Sequence, residues 1–133
     1  MRFIVMAIMT KESEAAPPPK PEAFVAMQEY NEKAVKAGVL LAAEGLTPKG
    51  TRVKFSGDKR TVTDGPFAES KELIAGFSII KADSLEDAIE WVKRAPNVSP
   101  NGEGLVEIRK LMDIEDFGEG FTPNEEIAKV KFK

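Results

Sequence analysis

The sequence contains neither cysteine nor histidine among its 133 residues. The lack of cysteine excludes disulfide bonds, thiolate metal sites and a cysteine nucleophile, and it fits the cytoplasmic location that we expect. The lack of histidine excludes a Ser-His-Asp triad, a histidine general base and histidine-ligated zinc or iron. Any acid–base chemistry must therefore use carboxylates, lysine or the single tyrosine, Tyr30.

Long apolar runs and dense basic clusters are also missing. No segment approaches the roughly 20 apolar residues of a membrane span, and the run from Phe3 to Met9 ends in charge without a small-residue cleavage site. The chain has 19 basic and 22 acidic residues, and no basic cluster is dense enough to neutralise a row of phosphates. The sequence therefore predicts neither a membrane partner nor direct binding of nucleic acid.

What remains is the composition of an ordinary globular domain, with 42% apolar and 31% charged residues. A domain of this length buries about two-thirds of its unfolded surface, so it needs no disulfide or metal to fold. We expect one domain over residues 1–112. Residues 113–133 are expected to be a C-terminal extension, in which Thr122 to Glu125 would cap a short helix over 126–131.

Four segments have strand patterns. Phe3 to Met9 and Leu73 to Ile80 are apolar on both faces, as in central strands that are covered from both sides. Thr51 to Ser56 and Leu105 to Leu111 alternate between apolar and polar residues, as in edge strands with one solvent face. Gly57-Asp58 then predicts a two-residue hairpin turn, after which the chain returns as an extra strand.

Two segments have a helical apolar stripe. The first begins at Pro21, which suits the first turn of a helix, and stops at Gly38. The second begins at Ser84, which has capping-box spacing with Asp87, and ends before Pro96. Between the first strand and the first helix, a proline-rich polar stretch is expected to be an extended connector.

The order of these segments, β-α-β-β-α-β with one return strand, predicts an α+β fold. It fits a ferredoxin-like antiparallel sheet in the spatial order 4-1-3-2 with both helices on one face. Because the central strands are apolar on both faces, the second face must be buried by something else. A second copy of the sheet is the simplest partner. We therefore predict a homodimer whose sheets pack face to face.

The stretch TVTDGPFAESKELIAGF, residues 61–77, has GVLLAAEGL before it and AIEWVKRAPN…VEIRKLM after it. In this order and spacing the segments closely resemble the YCII-related family, specifically its DGPF branch, from Met1 to about Met112. The resemblance implies a bacterial protein that forms a dimeric α+β barrel of ferredoxin-like subunits. It implies no settled activity. Members of the branch are found fused or linked to bacterial sigma factors, which implies a regulatory partner near transcription initiation.

The resemblance also bears on the chemistry. The parent family has been proposed to be enzymatic because of a histidine and an aspartate. In this sequence the flanking motifs place those two positions at Met27 and Ala95. Both groups are missing, so the His-Asp chemistry suggested for the parent family cannot operate here.

Asp64 opens the DGPF turn, and two interpretations of it stand. In the structural one, its carboxylate bonds its own backbone two residues on, Gly65 supplies the turn conformation, Pro66 fixes φ and Phe67 packs inward. In the functional one, the turn directs Asp64 into the mouth of the barrel, where a partly buried carboxylate acts as a base or a hydrogen-bond acceptor.

Three further charged residues are candidates. Glu107 and Arg109 share one face of their strand, and they would point into the barrel or to its rim, where Arg109 would anchor a carboxylate or phosphate. The alternative is a bridge between the two, at an interface or in solvent. Glu44 would supply a second carboxylate facing Asp64 to divide acid and base roles, or it is a solvated loop charge. Without a recognisable metal loop, no metal or cofactor is predicted.

Tyr30 lies on the apolar stripe of the first helix, either as a core residue with a satisfied hydroxyl or as a ligand-binding group. The hypothesis that follows is a site for a small anionic molecule in or at the mouth of the barrel. Whether it catalyses a reaction stays open. The catalytic candidates are Asp64 and Glu44, and the ligand-binding candidates are Arg109, Glu107 and Tyr30. The alternative is a regulatory module that contacts a sigma factor or another regulatory protein.

Overall fold

The computed structural model describes residues 1–10, 20–65, 72–99 and 102–117. Within these ranges the chain forms six strands and two α-helices, which confirms the α+β class. The strands are β1 (Arg2–Thr10), β2 (Leu40–Gly45), β3 (Thr51–Ser56), β4 (Lys59–Asp64), β5 (Glu72–Lys81) and β6 (Leu105–Lys110). The helices are α1 (Pro21–Lys36) and α2 (Leu85–Lys93), and a 3-10 helix spans Ile114–Phe117.

Four strands form one antiparallel sheet in the order β2-β5-β1-β6. The central pair, β1 and β5, is the pair that the sequence predicts from its two fully apolar segments. β6 borders the other side of β1, as expected for an edge strand. Two helices combined with an antiparallel sheet are consistent with a ferredoxin-like fold.

The second edge strand is not the one that we expected from the sequence. The pattern analysis assigned this edge to Thr51–Ser56, but β2 occupies the position beside β5. β3 and β4 instead pair with each other in a separate two-stranded sheet. The alternation of β3 does not distinguish an edge strand from an isolated hairpin. β2 follows α1 after the short connection 37–39, and elements that are close in the chain usually pack beside each other. This favours β2 over the later β3 as the edge strand.

The predicted signals at the ends of the elements are confirmed. Pro21 lies in the first turn of α1, and Gly38, with φ of 73°, follows its last turn. At the start of α2 the Ser84 hydroxyl accepts a hydrogen bond of 3.1 Å from the Asp87 amide. In the hairpin turn Gly57 has a positive φ of 57°, as the first position of a type II′ turn requires.

The core lies between one face of the four-stranded sheet and the helices. Phe3 of β1 is 1% exposed and packs with Ile80, Ala82 and Ala88. Ala88 brings α2 onto this face of the sheet. Further residues line the cluster with part of their surface, namely Val5, Val39, Leu40, Val92 and Ile108. We call this the helix side of the sheet.

The opposite face of the sheet, called the far face below, is apolar as well, as the sequence predicts for the central strands. Ile4 pairs with Ile79 across β1 and β5, and Met6 pairs with Phe77. At one end of the sheet Ile8 lies between two half-exposed side chains, because it pairs with Ile74 on β5 and Leu105 on β6. Alternation along the strands, together with the register shift between β1 and β5 that pairs Ile8 with Ile74, places all of these on the side opposite Phe3: Ile4, Met6, Ile8, Ile74, Phe77, Ile79 and Leu105.

Beyond β6, ion pairs of Lys110 hold the following residues against the end of the sheet. The Lys110 ammonium lies 3.1 Å from Asp116 and 3.7 Å from Asp113, and the hydrogen bond to Asp116 is the main cause that raises the pKa of Lys110. These contacts tie the 3-10 helix to the end of the sheet. The helix predicted over 126–131 and the proline-rich connector lie outside the described residues. No helix in the described ranges is both long and apolar enough to cross a membrane.

Gly76 allows β2 to approach β5 closely. A Cβ at this position would lie 3.0 Å from the Glu44 carbonyl oxygen and 3.4 Å from the Gly45 Cα. We therefore expect Gly76→Ala to lower the free energy of unfolding by about 1–3 kcal/mol, because the edge strand must shift. Gly45→Ala is the matched control, since Gly45 pairs directly with Gly76 and its Cβ would meet nothing within 4 Å. Equal losses for both variants in urea unfolding would contradict this account.

Candidate functional site

The far face combines an apolar centre with charged residues at both edges. One row of residues crosses all four strands in register, with Glu44 on β2, Phe77 on β5, Met6 on β1 and Glu107 on β6. Since neighbouring strands lie about 4.8 Å apart, the backbones of the two glutamates are separated by roughly 14 Å. The two glutamates therefore border an apolar floor from opposite edges of the sheet.

The adjacent row adds a cation. It runs from Ala42 through Ile79 and Ile4 to Arg109 on β6. Arg109 and Glu107 thus share the far face, as predicted, while Ile108 between them packs against the core on the helix side. Their predicted position in a barrel stays a prediction. Both charged residues are exposed. Within the described part of the chain they form no ion pair with each other.

Asp64 has a structural partner that the sequence did not predict. Its Oδ1 accepts a hydrogen bond of 2.9 Å from the Thr51 hydroxyl, and the neighbouring Gly65 amide donates to the Gly50 carbonyl at 2.7 Å. The expected bond to the backbone two residues on is wrong, because that residue is Pro66, which has no N–H. Asp64 instead closes the open end of the β3–β4 hairpin. Residues 66 and 67 of the motif lie outside the described residues.

The two catalytic candidates lie on different sheets. Glu44 is on the four-stranded sheet opposite Phe77, whereas Asp64 ends the separate hairpin opposite Thr51. Nowhere in the ranges that the structure describes do three or more acidic side chains gather closely enough to hold a metal ion. The role of either residue in catalysis stays a prediction, and Glu44 is the one that lies on the same face as Arg109.

Tyr30 lies between the two helices. Its hydroxyl donates a hydrogen bond of 2.7 Å to the Trp91 carbonyl and so links α1 to α2. Burial raises the pKa of the Tyr30 hydroxyl above its ordinary value of 10.0, and the positive charge of Arg94 offsets part of this increase. These contacts support the core alternative for Tyr30. They place it on the helix side, across the sheet from Arg109.

We expect Tyr30 to ionise above pH 10.0 in the native protein. The neutral phenol is favoured in the folded state, so its contribution to stability is fully present below the pKa of the unfolded chain. That contribution is lost as the pH rises through the raised pKa of the folded state. Because the chain has one tyrosine, the ultraviolet absorbance of ionised phenol reports this group alone. The pH at which half of the phenol is ionised should be higher in the native protein than in urea. Equal values in the two states would show that the hydroxyl is not buried.

The sequence analysis did not single out Arg94 as a candidate residue. In the structure the Arg94 guanidinium stacks 4.8 Å from the centre of the Trp91 ring. A signal for this contact was present, because residues three apart on a helix lie on the same face. The contact from Tyr30 to the same tryptophan spans 61 positions of sequence and had no local signal.

Comparison with known proteins gives two findings. The family model described as the YCII-related domain matches residues 1–115. An uncharacterised protein of Rhizobium meliloti (strain 1021) is 36% identical over 81 residues, which cover 59% of this chain and 64% of that protein. The chain therefore spans somewhat less than two thirds of the length of this curated relative.

Proposed function

The chain belongs to the YCII-related domain family, and we propose that it is a homodimer that binds a small anionic molecule on the far face of its sheet. One observation carries this proposal. The strand register places an apolar floor, two bordering carboxylates and one cation, Arg109, on the same face of the sheet. A concave or enclosed site with an apolar lining and a few placed polar groups is the usual form of a small-molecule site.

The homodimer follows from the same face. Ile74 and Leu105 leave about half of their surface exposed at one end of the far face, beside the paired residues of the central strands. A self-complementary apolar surface favours a two-fold interface between identical chains. Face-to-face packing of two sheets would bury the floor and produce the α+β barrel expected for the ferredoxin-like subunit.

In this proposal each polar group has a distinct task. Arg109 binds the anionic group of the ligand, because a guanidinium presents a planar pair of donors to a carboxylate or phosphate. Phe77, which is partly exposed, contacts the apolar body of the ligand. Glu44 and Glu107 accept hydrogen bonds from ligand donors. If the protein is an enzyme, Glu44 is the better placed acid or base, because Asp64 is held by Thr51 at the hairpin.

Octanoate, an apolar anion without an aromatic ring, tests the site directly when its binding is measured by isothermal titration calorimetry. We expect it to bind the wild-type protein saturably and Arg109→Gln about tenfold more weakly, since a lost charge-assisted hydrogen bond costs about 1.5 kcal/mol or more. Lys36→Gln, which removes an exposed charge at the end of α1, is the control and should leave the affinity unchanged. Equal affinities of Arg109→Gln and wild type would remove Arg109 from the proposal.

A second candidate function is docking of a regulatory protein such as a sigma factor, and the β3–β4 hairpin favours it. Val53 pairs with Val62 and Phe55 with Arg60 on one face of the hairpin, and the three apolar side chains are all exposed. An exposed apolar patch of this kind is typical of a protein contact surface. Titration of a purified sigma factor from the same organism should show binding that Phe55→Asp abolishes. No binding to the wild type would exclude this candidate.

A further inference from the structure

A cleft of about 440 Å³ lies between α1 and α2 on the helix side of the sheet. It is separate from the far-face site, and its walls include Tyr30 and Lys33 from α1 and Trp91, Arg94 and Pro96 from the α2 end. Its volume is in the range of small-molecule sites, about 300–1,000 Å³. The cleft therefore has room for a ligand the size of one substituted ring.

One wall of the cleft is held in place by several contacts. The Trp91 carbonyl accepts hydrogen bonds from the Tyr30 hydroxyl at 2.7 Å and from the Arg94 amide at 3.2 Å. The Arg94 guanidinium stacks on the Trp91 ring at 4.8 Å, an attraction between a cation and the face of an aromatic ring. Arg94 is thus oriented before any ligand arrives, which reduces the entropy cost of binding.

Positive charge exceeds negative charge among the described residues that line the cleft. Lys33 and Arg94 form no ion pair within the described residues, whereas Lys93 and Lys110 each pair with an acidic neighbour. Glu29 is the one acidic residue among those that line this cleft. The charge of Arg94 also acts on the Tyr30 hydroxyl, where it opposes the effect of burial on the pKa. Two cations against one carboxylate favour an anionic ligand.

We propose that this cleft is a second ligand site, which binds a small molecule that joins an anionic group to a flat aromatic ring. The anionic group lies between Arg94 and Lys33, because a guanidinium and an ammonium together satisfy the oxygens of a carboxylate or a phosphate. The ring lies against Tyr30 and Pro96, which supply the apolar part of the wall.

The site can be observed without a label, because Trp91 is the single tryptophan of the chain and forms a wall of the cleft. Benzoate is the first probe, and phenyl phosphate is compared with it to distinguish a carboxylate from a phosphate ligand. We expect a saturable change in tryptophan fluorescence with at least one of the two anions. Benzyl alcohol, which has the ring without the charge, should bind at least about tenfold more weakly, as should inorganic phosphate, which has the charge without the ring.

Variants separate this cleft from the far face. Arg94→Gln and Lys33→Gln should each weaken binding of the preferred anion about tenfold. Lys36→Gln on the same helix and Arg109→Gln on the far face should leave it unchanged. Unaltered affinity in both Arg94→Gln and Lys33→Gln would overturn the proposal. It would also be overturned if benzyl alcohol bound the wild type as tightly as the preferred anion, or if neither anion gave a saturable signal. Loss of affinity in Arg109→Gln would also overturn it, because the probe would then be bound at the far face.

Discussion

Replacement of Phe3 by alanine is expected to lower the free energy of unfolding by about 3–5 kcal/mol. Phe3 is the largest side chain that is completely buried among the described residues, and it joins β1 to α2 through its contact with Ala88. Ala88 is itself 0% exposed and too small to fill the space that the ring would leave. Since domains are stable by only about 5–15 kcal/mol, this loss is a large fraction of the total stability.

Phe55→Ala is the matched control for Phe3→Ala. Phe55 is 70% exposed on the hairpin, and its observed contact is with the Arg60 guanidinium at 4.3 Å. We expect this variant to change stability by about 0.5 kcal/mol or less. Urea unfolding followed by circular dichroism measures both variants. A loss for Phe55→Ala as large as the loss for Phe3→Ala would show that the hairpin is buried in solution.

Leu105→Lys is expected to raise the dissociation constant of the homodimer by about 100-fold or more. Leu105 is 50% exposed in the single chain, so Leu105→Lys costs the fold of one chain little. In the proposed dimer the same position is buried on the far face, and each copy would then bury an unpaired ammonium at a cost of several kcal/mol. About 2.7 kcal/mol already corresponds to 100-fold in the dissociation constant.

Val106→Lys is the control for this experiment. Val106 is the next residue of β6 and is 45% exposed, but it points to the helix side of the sheet because side chains alternate along a strand. Analytical ultracentrifugation over a range of concentrations should therefore show a weakened dimer for Leu105→Lys and an unchanged one for Val106→Lys. Equal weakening by both variants would contradict the assignment of the interface to the far face. Ile74→Lys on β5 provides a second far-face variant.

The elements that local signals define were predictable from the sequence. The apolar runs of β1 and β5, the Ser84 cap of α2 and the glycine turns all depend on residues near one another in the chain. The second edge of the sheet was not predictable, because β2 and β3 differ in tertiary pairing and both have plausible strand patterns. The choice between them depends on long-range contacts with β5, which a local pattern does not contain.

The residues of the candidate site also divide into those that a local pattern predicts and those that depend on long-range pairing. The shared face of Glu107 and Arg109 followed from the two-residue period of a strand. To predict that Glu44 lies in the same row as Glu107, one must know the register between β2 and β5. To predict the hydrogen bond from Thr51 to Asp64, one must know the register of the hairpin. The contact between Tyr30 and Trp91 needed the packing of two helices, so the cleft beside it had no signature in the sequence.

The mass of the wild-type protein in solution tests the central claim most directly, namely that the far face is buried against a second copy of the chain. Sedimentation equilibrium at micromolar concentration measures this mass independently of shape. The account predicts twice the chain mass of 14.6 kDa, and the Leu105→Lys variant should shift this toward a single chain. A wild-type mass of 14.6 kDa at every concentration would contradict the homodimer and the ligand site that it encloses.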